Sequence, residues 1–264
     1  MPRQFKSEKP FIEVFCEGES EQAYVSFLKK KFADVAVINC PKSTGLFEEA
    51  DSKYRNDIRY KSKAEVTDEI WFFFDVETKD ISKWERRLKI IKRLRNLRKK
   101  PCIKVRLLMT TGCLEYWLML HYEMLAPSIQ TEADKENMIS RLVHKEPTYK
   151  KGDLAATSKI AENYPTAVVN AKNTVSYLLK DGLPTLEDTD ERNKWLCTEC
   201  RTFSTVYEAI PLRKFSKAFT KRIRLLSATT TKCRCPLRFR SHTIPQEITT
   251  RFSESCRVSR ASRI

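Results

Sequence analysis

Acidic side chains follow three of the apolar segments that this sequence predicts to be strands. Glu17 follows FIEVFC, Asp75 and Glu77 follow EIWFFF, and Glu115 stands shortly after CIKVRLLM. Burying carboxylates is costly unless a positive charge meets them. Hard cations such as Mg²⁺ take oxygen ligands, usually one or two carboxylates together with phosphate and water. The pattern therefore predicts a site for Mg²⁺ or Mn²⁺ that in turn meets a phosphate.

Strand-like and helix-like segments alternate over the first 125 residues and must position these acids. The alternation predicts a parallel sheet with helices on its faces, joined by right-handed crossovers. Sites in such sheets form beyond the carboxyl ends of the strands, so the acids should share one edge. The absence of a G-x-G-x-x-G motif argues against a dinucleotide site. Strands are expected at 11–16, 35–40, 69–74 and 102–109, and helices at 20–32, 45–58, 80–99 and 114–125.

Each acid also has a structural explanation. Glu19 and Glu21 stand in the first turn of the helix predicted at 20–32, where the helix dipole favours negative charge. That is the preferred account of Glu19. Glu115 lies early in its helix in the same way. Glu17 and Asp75 are harder to explain structurally, because each ends an apolar strand.

The net charge of +16 is concentrated near the C-terminus. Residues 212–264 hold 14 Lys and Arg against two Glu, which leaves only +4 for the rest of the chain. Such a distribution suits an anionic partner, above all nucleic acid, although a merely solvated segment would look the same. Little periodicity remains in 212–264, so we expect a poorly ordered basic tail.

The helix predicted at 80–99 is both amphipathic and basic. Its apolar residues recur at steps of three and four and are Trp84, Leu88, Ile91 and Leu94. Basic side chains crowd the other faces, and those proposed to contact nucleic acid are Arg86, Arg87, Lys92 and Arg93. A solvated helix surface is the alternative.

Several other classes of site and location are disfavoured. The charged N-terminus lacks the apolar core of a signal peptide, and no apolar run reaches membrane length, so a cytoplasmic, non-membrane protein is expected. The nine cysteines are therefore predicted to be mostly reduced, with Cys16, Cys40 and Cys102 as small buried residues. No zinc is expected, because CTEC at 197–200 is complemented only by CRC at 233–235. His121 is predicted to be a packed side chain rather than a base.

Five segments in order resemble the RloB-like family. They are VFCEGESEQAYVSFL, IWFFFDVETKD, TTGCLEYWLMLHYE, YKKGD and WLCTECRTFSTVYEAI, and together they span most of residues 11–211. The resemblance implies a Toprim-like core, in which Glu17 is the glutamate after the first strand and Glu21 the second acid of E-G-x-x-E. It places Asp75 and Glu77 on a D-x-D pair and Glu115 on the acid before the Trp-Leu helix. Glu77 departs from the family's usual aspartate.

The family is associated with prokaryotic restriction and abortive-infection loci, which implies an antiphage nuclease that cleaves DNA or RNA. Glu17, Asp75 and Glu77 would hold Mg²⁺ or Mn²⁺, with Glu115 as an auxiliary catalytic residue. Lys150 and Lys151 match a Tyr-Lys-Lys stretch, in which Lys151 would stabilise charge on the phosphate and Lys150 would bind nucleic acid.

The resemblance also implies an organisation and partners. Residues 1–126 would form the Toprim/Rossmann-like α/β core and 127–211 its helical C-terminal part, whereas the basic tail at 212–264 lies outside the resemblance. An operon-encoded ATPase partner is implied by the resemblance alone. The alternative is a non-catalytic subunit that binds nucleic acid or acts as an adaptor in an ATPase-containing defence complex.

Overall fold

The centre of the protein is a four-stranded, fully parallel sheet. The computed structural model describes residues 9–199 and 201–210. The strand order is β2-β1-β3-β4, with β1 at Phe11–Cys16, β2 at Val37–Asn39, β3 at Thr67–Val76 and β4 at Lys104–Thr111. The predicted parallel α/β sheet of Rossmann-like type is thus confirmed. β2 is shorter than expected, because the amides of Val35 and Ala36 bond to the Phe32 carbonyl in a turn.

Helices cover both faces of this sheet. Phe72 and Phe74 point from β3 to one face, where they meet the Phe47 ring with centroids 4.1 and 5.5 Å away. Phe73 points to the other face and meets Tyr24 at 6.2 Å. A parallel sheet buried on both faces explains the unbroken apolar run in β3. The helices are α1 (Glu19–Lys31), α2 (Phe47–Asn56), α3 (Ile58–Ala64), α4 (Trp84–Arg95), α5 (Leu114–Met119), α6 (Glu132–Lys145), α7 (Leu154–Ala161), α8 (Tyr164–Tyr177) and α9 (Asp190–Thr198).

The segment predicted as one helix at 80–99 is a 3₁₀ turn at Thr78–Lys83 followed by α4. Its buried residues are Trp84, Arg87, Ile90, Ile91 and Leu94. Leu88, predicted to lie on the apolar stripe, is partly exposed, and Arg87 takes a buried place instead. The Arg87 guanidinium lies over the Phe47 and Phe74 rings and donates to the Asp80 carboxylate at 2.8 Å.

α5 is half as long as predicted, and it is entirely buried. The chain leaves the helix at Leu120 and His121. The Leu120 carbonyl accepts a hydrogen bond from the Asn170 side chain at 2.8 Å, and the His121 carbonyl accepts one from the Asn163 side chain. Both asparagines come from the region of α8, far along the sequence, and they satisfy carbonyl groups that a continuing helix would have used. His121 is fully buried, which confirms its prediction as a packed side chain.

The outer edge of β4 is covered by residues 201–205. Thr111 N–H donates to the Phe203 carbonyl at 3.0 Å, and Thr205 N–H donates to the Met109 carbonyl at 2.8 Å. Covering the edge of a strand in this way removes a template for unwanted pairing. No helix of the described residues is long and apolar enough to cross a membrane.

The cysteine prediction is confirmed only in part. Cys16 is buried and Cys40 is half-buried, whereas Cys102 is exposed, because β4 begins only at Lys104. The predicted basic tail, together with Cys200, Cys233 and Cys235, lies outside the described residues.

Candidate active site

Carboxylates from three parts of the chain gather at the carboxyl edge of the sheet. They line an open cleft of about 370 Å³. Glu17 comes from the end of β1, Asp75 and Glu77 from the end of β3, and Glu21 from the first turn of α1. Glu115, from the start of α5, is buried and close enough to act electrostatically on Asp75 and Glu21. The structure therefore brings the predicted acids together.

Glu17 and Asp75 meet directly where their strands end. The Asp75 backbone N–H donates to Glu17 Oε2 at 3.0 Å, and the Glu17 N–H donates to the Phe73 carbonyl at 3.0 Å. This continues the pairing of β1 with β3, in which Cys16 lies opposite Phe73. The parallel register thus fixes both residues at the same level of the sheet.

The carboxylates in the cleft repel one another. Burial raises the pKa of Asp75 well above its usual value, and the charges of Glu21, Glu17 and Glu115 raise it further. Burial, reinforced by Glu17 and Glu115, raises the pKa of Glu21 to about 7. Such shifts mark a site that lacks enough positive charge of its own.

Glu115 is oriented by a tyrosine that the motif analysis had not assigned a role. The Tyr149 hydroxyl donates to Glu115 Oε1 at 2.9 Å, and both side chains are buried. The other oxygen, Glu115 Oε2, is buried without a hydrogen-bond partner among the described residues, as is Asp75 Oδ1. Because most buried carboxylate oxygens are hydrogen-bonded, these two oxygens are candidates for contact with a ligand.

Glu77 also lines the cleft, but its carboxylate is already matched by positive charge. Lys135 Nζ lies 2.6 Å from Glu77 Oε1, and Lys79 contacts the other oxygen. Although burial opposes the change, these two lysines hold the pKa of Glu77 below its usual value. In this arrangement Glu77 differs from Asp75, which forms no ion pair with the residues that the structure describes.

The loop that contains Lys151 and Gly152 also lines the cleft. Gly152 has a φ of +78°, which favours glycine, and an added Cβ would lie in ordinary van der Waals contact with the Glu19 Cβ, at 3.5 Å. Lys151 is exposed and lowers the pKa of Asp75, against the effect of burial. The loop thus adds one cation to the lining of the cleft. Lys150 is also exposed.

The basic residues predicted on α4 do not form one continuous surface. Arg86 pairs with Glu48 at 3.0 Å, Arg93 pairs with Asp51, and Lys92 is exposed. Arg87 is buried against aromatic rings and Asp80, so its prediction as a nucleic-acid contact is wrong.

The cleft has the donor chemistry that a hard cation requires, although its side chains are not arranged as a finished metal site. Within residues 9–199 and 201–210, no three acidic, histidine or cysteine side chains are arranged to hold an ion. The two orphaned oxygens of Asp75 and Glu115 nevertheless fit a dication, which prefers oxygen ligands. The acids are thus compatible with Mg²⁺ or Mn²⁺ after side-chain adjustment.

Glu21 and Tyr149 are not among the catalytic or metal-binding residues that the sequence predicts. Glu21 had a signal, since it is the second acid of E-G-x-x-E, but first-turn acids are common for other reasons. Tyr149 gave none beyond its place before the two lysines, because its contact with Glu115 spans 34 residues.

Comparison with protein-family models matches residues 12–210 to the family described as RloB-like protein. No curated protein and no solved structure gives a significant match. The matched region contains the whole acidic cleft and covers most of the sequence. The chain therefore belongs to the RloB-like family.

Proposed function

We propose that this protein is a metal-dependent nuclease that hydrolyses phosphodiester bonds of DNA or RNA in prokaryotic antiphage defence. The observation that carries the proposal is the electrostatic state of the cleft. Asp75 has a buried oxygen that lacks a hydrogen-bond partner among the described residues, a raised pKa and three acidic neighbours at the carboxyl edge of the sheet. If the acids were purely structural, each would be expected to pair with a basic side chain, as Glu77 pairs with Lys135.

Glu17, Asp75 and Glu77 would hold Mg²⁺ or Mn²⁺, which when bound supplies a more acidic water and neutralises charge on the phosphate. Glu115 would be an auxiliary residue of the site, in the orientation that the Tyr149 hydroxyl gives it. Lys151 lines the same cleft and acts electrostatically on Asp75, and its charge would stabilise a phosphate oxygen there.

A non-catalytic role in nucleic-acid binding or as an adaptor is the second candidate, and the surroundings of Glu77 favour it. Both oxygens of Glu77 contact lysines, and the described side chains form no ready-made ion site. In that case the exposed Lys92 and Lys150 would contact nucleic acid. An ATPase partner and a cytoplasmic location belong to both proposals and rest on family resemblance and on the sequence.

A cleavage assay separates the two candidates. Purified protein is incubated with mixed DNA and tRNA, with and without Mn²⁺, alone and with candidate partners. We expect Mn²⁺-dependent cleavage that Asp75→Asn and Glu17→Gln abolish while nucleic-acid binding persists. Glu19→Gln is the matched control, because Glu19 is an exposed acid lining the same cleft. Absence of cleavage under every condition, with binding retained, would favour the adaptor.

A further inference from the structure

Two cysteine thiols contact each other directly beside the candidate active site. Cys16 ends β1 and is buried, and Cys40 follows β2, the neighbouring parallel strand, and is half-buried. Their sulfur atoms are 3.6 Å apart and unbonded. Formation of a disulfide would require an approach to about 2.05 Å, and the two sulfurs already face each other between adjacent strands.

We propose that Cys16 and Cys40 are a site of reversible covalent modification, at which a low-molecular-weight disulfide converts the two thiols into an intramolecular disulfide. A second part of the proposal rests on the proposed nuclease function. The disulfide would displace Glu17 and lower the nuclease activity of the cleft.

The surroundings assign different roles to the two sulfurs. Cys40 is accessible to a small oxidant, whereas Cys16 is not, so Cys40 attacks first. The hydrogen bond between the two sulfurs lowers the pKa of Cys40, with a contribution from Lys29 and against the effects of burial and of the Glu13 charge. A lowered pKa increases the fraction of thiolate, which is the reacting form.

The reaction balances without another reagent. The Cys40 thiolate attacks one sulfur of the small disulfide, forms a mixed disulfide and releases one small thiolate. The Cys16 sulfur then attacks the Cys40 sulfur, displaces the second small thiolate and gives up its proton, which the released thiolates take up. Two protein thiols are oxidised, and one small disulfide is reduced to two thiols.

The other described cysteines lack this arrangement. Cys102 is exposed, and its sulfur contacts the Lys99 carbonyl. Cys197 is buried and its sulfur lies 3.5 Å from the Met109 sulfur, a thioether that cannot form a disulfide. Cys102 therefore serves as an internal control, because it can form a mixed disulfide but has no described thiol in contact to resolve it.

Closure of the disulfide would act on the next residue of the chain. Glu17 follows Cys16 directly, and its position depends on two contacts with β3, namely the bonds to Phe73 and Asp75 at 3.0 Å. β2 lies on the opposite side of β1 from β3. Drawing Cys16 toward Cys40 thus pulls the end of β1 away from Asp75. Displacement of a positioned group by about 1 Å can cost about 10²-fold in rate.

Peptide mapping tests the modification independently of any activity. The folded, full-length protein is equilibrated with buffers of increasing oxidised-to-reduced glutathione ratio, blocked with iodoacetamide and digested without reductant. We expect a linked peptide pair containing Cys16 and Cys40 that dithiothreitol removes, and only a glutathione adduct at Cys102. The linked pair should be absent from Cys40→Ser and Cys40→Ala and unchanged in Cys102→Ser.

The linked pair would have to form in protein whose circular dichroism is unchanged. A stable glutathione adduct at Cys40, or a link that appears only in urea, would overturn the proposal. Mn²⁺ binding and cleavage are then compared in the oxidised and reduced protein. We expect a loss of about tenfold or more that Cys40→Ser prevents. A disulfide that leaves Mn²⁺ binding and cleavage unchanged would refute the coupling to Glu17, whereas absence of cleavage in the reduced protein would count against the nuclease proposal alone.

Discussion

Replacing Glu21 with glutamine should stabilise the metal-free protein. The gain in stability should be smaller when a metal ion is bound. Glu21 is buried, and burial together with the charges of Glu17 and Glu115 raises its pKa from 4.5 to about 7. A rise of that size corresponds to about 3 kcal/mol of destabilisation by the charged form. The amide removes the charge, and the pKa shift already includes the opposing hydrogen bonds from the Gly18 and Glu21 backbone. The gain in the free energy of unfolding above pH 7 should therefore be about 3 kcal/mol.

The size of this stabilisation depends on pH. Because the pKa of Glu21 is higher in the folded than in the unfolded protein, the wild type loses stability as the pH rises from 4.5 through about 7. Glu21→Gln does not titrate at this position. Its advantage should therefore be absent below pH 4.5 and complete above pH 7.

Urea denaturation in EDTA at pH 4 and pH 8 measures the effect, and repetition at pH 8 with Mn²⁺ measures the contribution of the ion. Glu19→Gln is the matched control on the same helix turn, and its exposed side chain should change the free energy of unfolding by less than about 1 kcal/mol. Destabilisation of the metal-free protein by Glu21→Gln at pH 8 would show that Glu21 acts as a structural helix cap, and it would refute the argument from repulsion.

Three further predictions concern residues around the sheet. Tyr149→Phe removes the donor to Glu115 and should weaken Mn²⁺ binding by about 10- to 100-fold, as measured by calorimetry; equal affinities would contradict its positioning role. Burial lowers the pKa of His121 to about 4, so about 3 kcal/mol of stability should be lost between pH 6.5 and pH 4, and urea denaturation should show a smaller loss for His121→Gln. Lys92→Ala should lower nucleic-acid affinity and reduce the slope of log affinity against log salt by about 1 in fluorescence anisotropy, whereas an unchanged slope would place the contact elsewhere.

The sheet and its acidic edge were predictable because their signals are local. β1 has the predicted bounds, since an apolar run that ends in Glu17 and Gly18 marks both the strand and its end. The parallel arrangement followed from the alternation of strands and helices, and it placed Glu17 beside Asp75 as expected.

The remaining details depend on contacts between distant residues. The end of α5 is decided by Asn163 and Asn170, which no pattern in 114–125 reveals. Arg87 was predicted to be exposed because arginine on an amphipathic helix usually is, but two aromatic rings and the Asp80 carboxylate offset the cost of burying it. The partners of Glu77 likewise include Lys135, which is 58 residues away.

The backbone bonds that residues 201–205 make to β4 set a lower limit on any expression fragment of this protein. A fragment cut before Arg201 would leave the amide of Thr111 and the carbonyl of Met109 without the partners they have in the folded chain. The same fragment would lose the side chain of Thr205, which bonds to the Met109 amide at 2.9 Å. An open strand edge invites pairing between molecules. Such a fragment should therefore aggregate, although every acid of the cleft precedes the cut, and fragments for study should extend at least to Ile210.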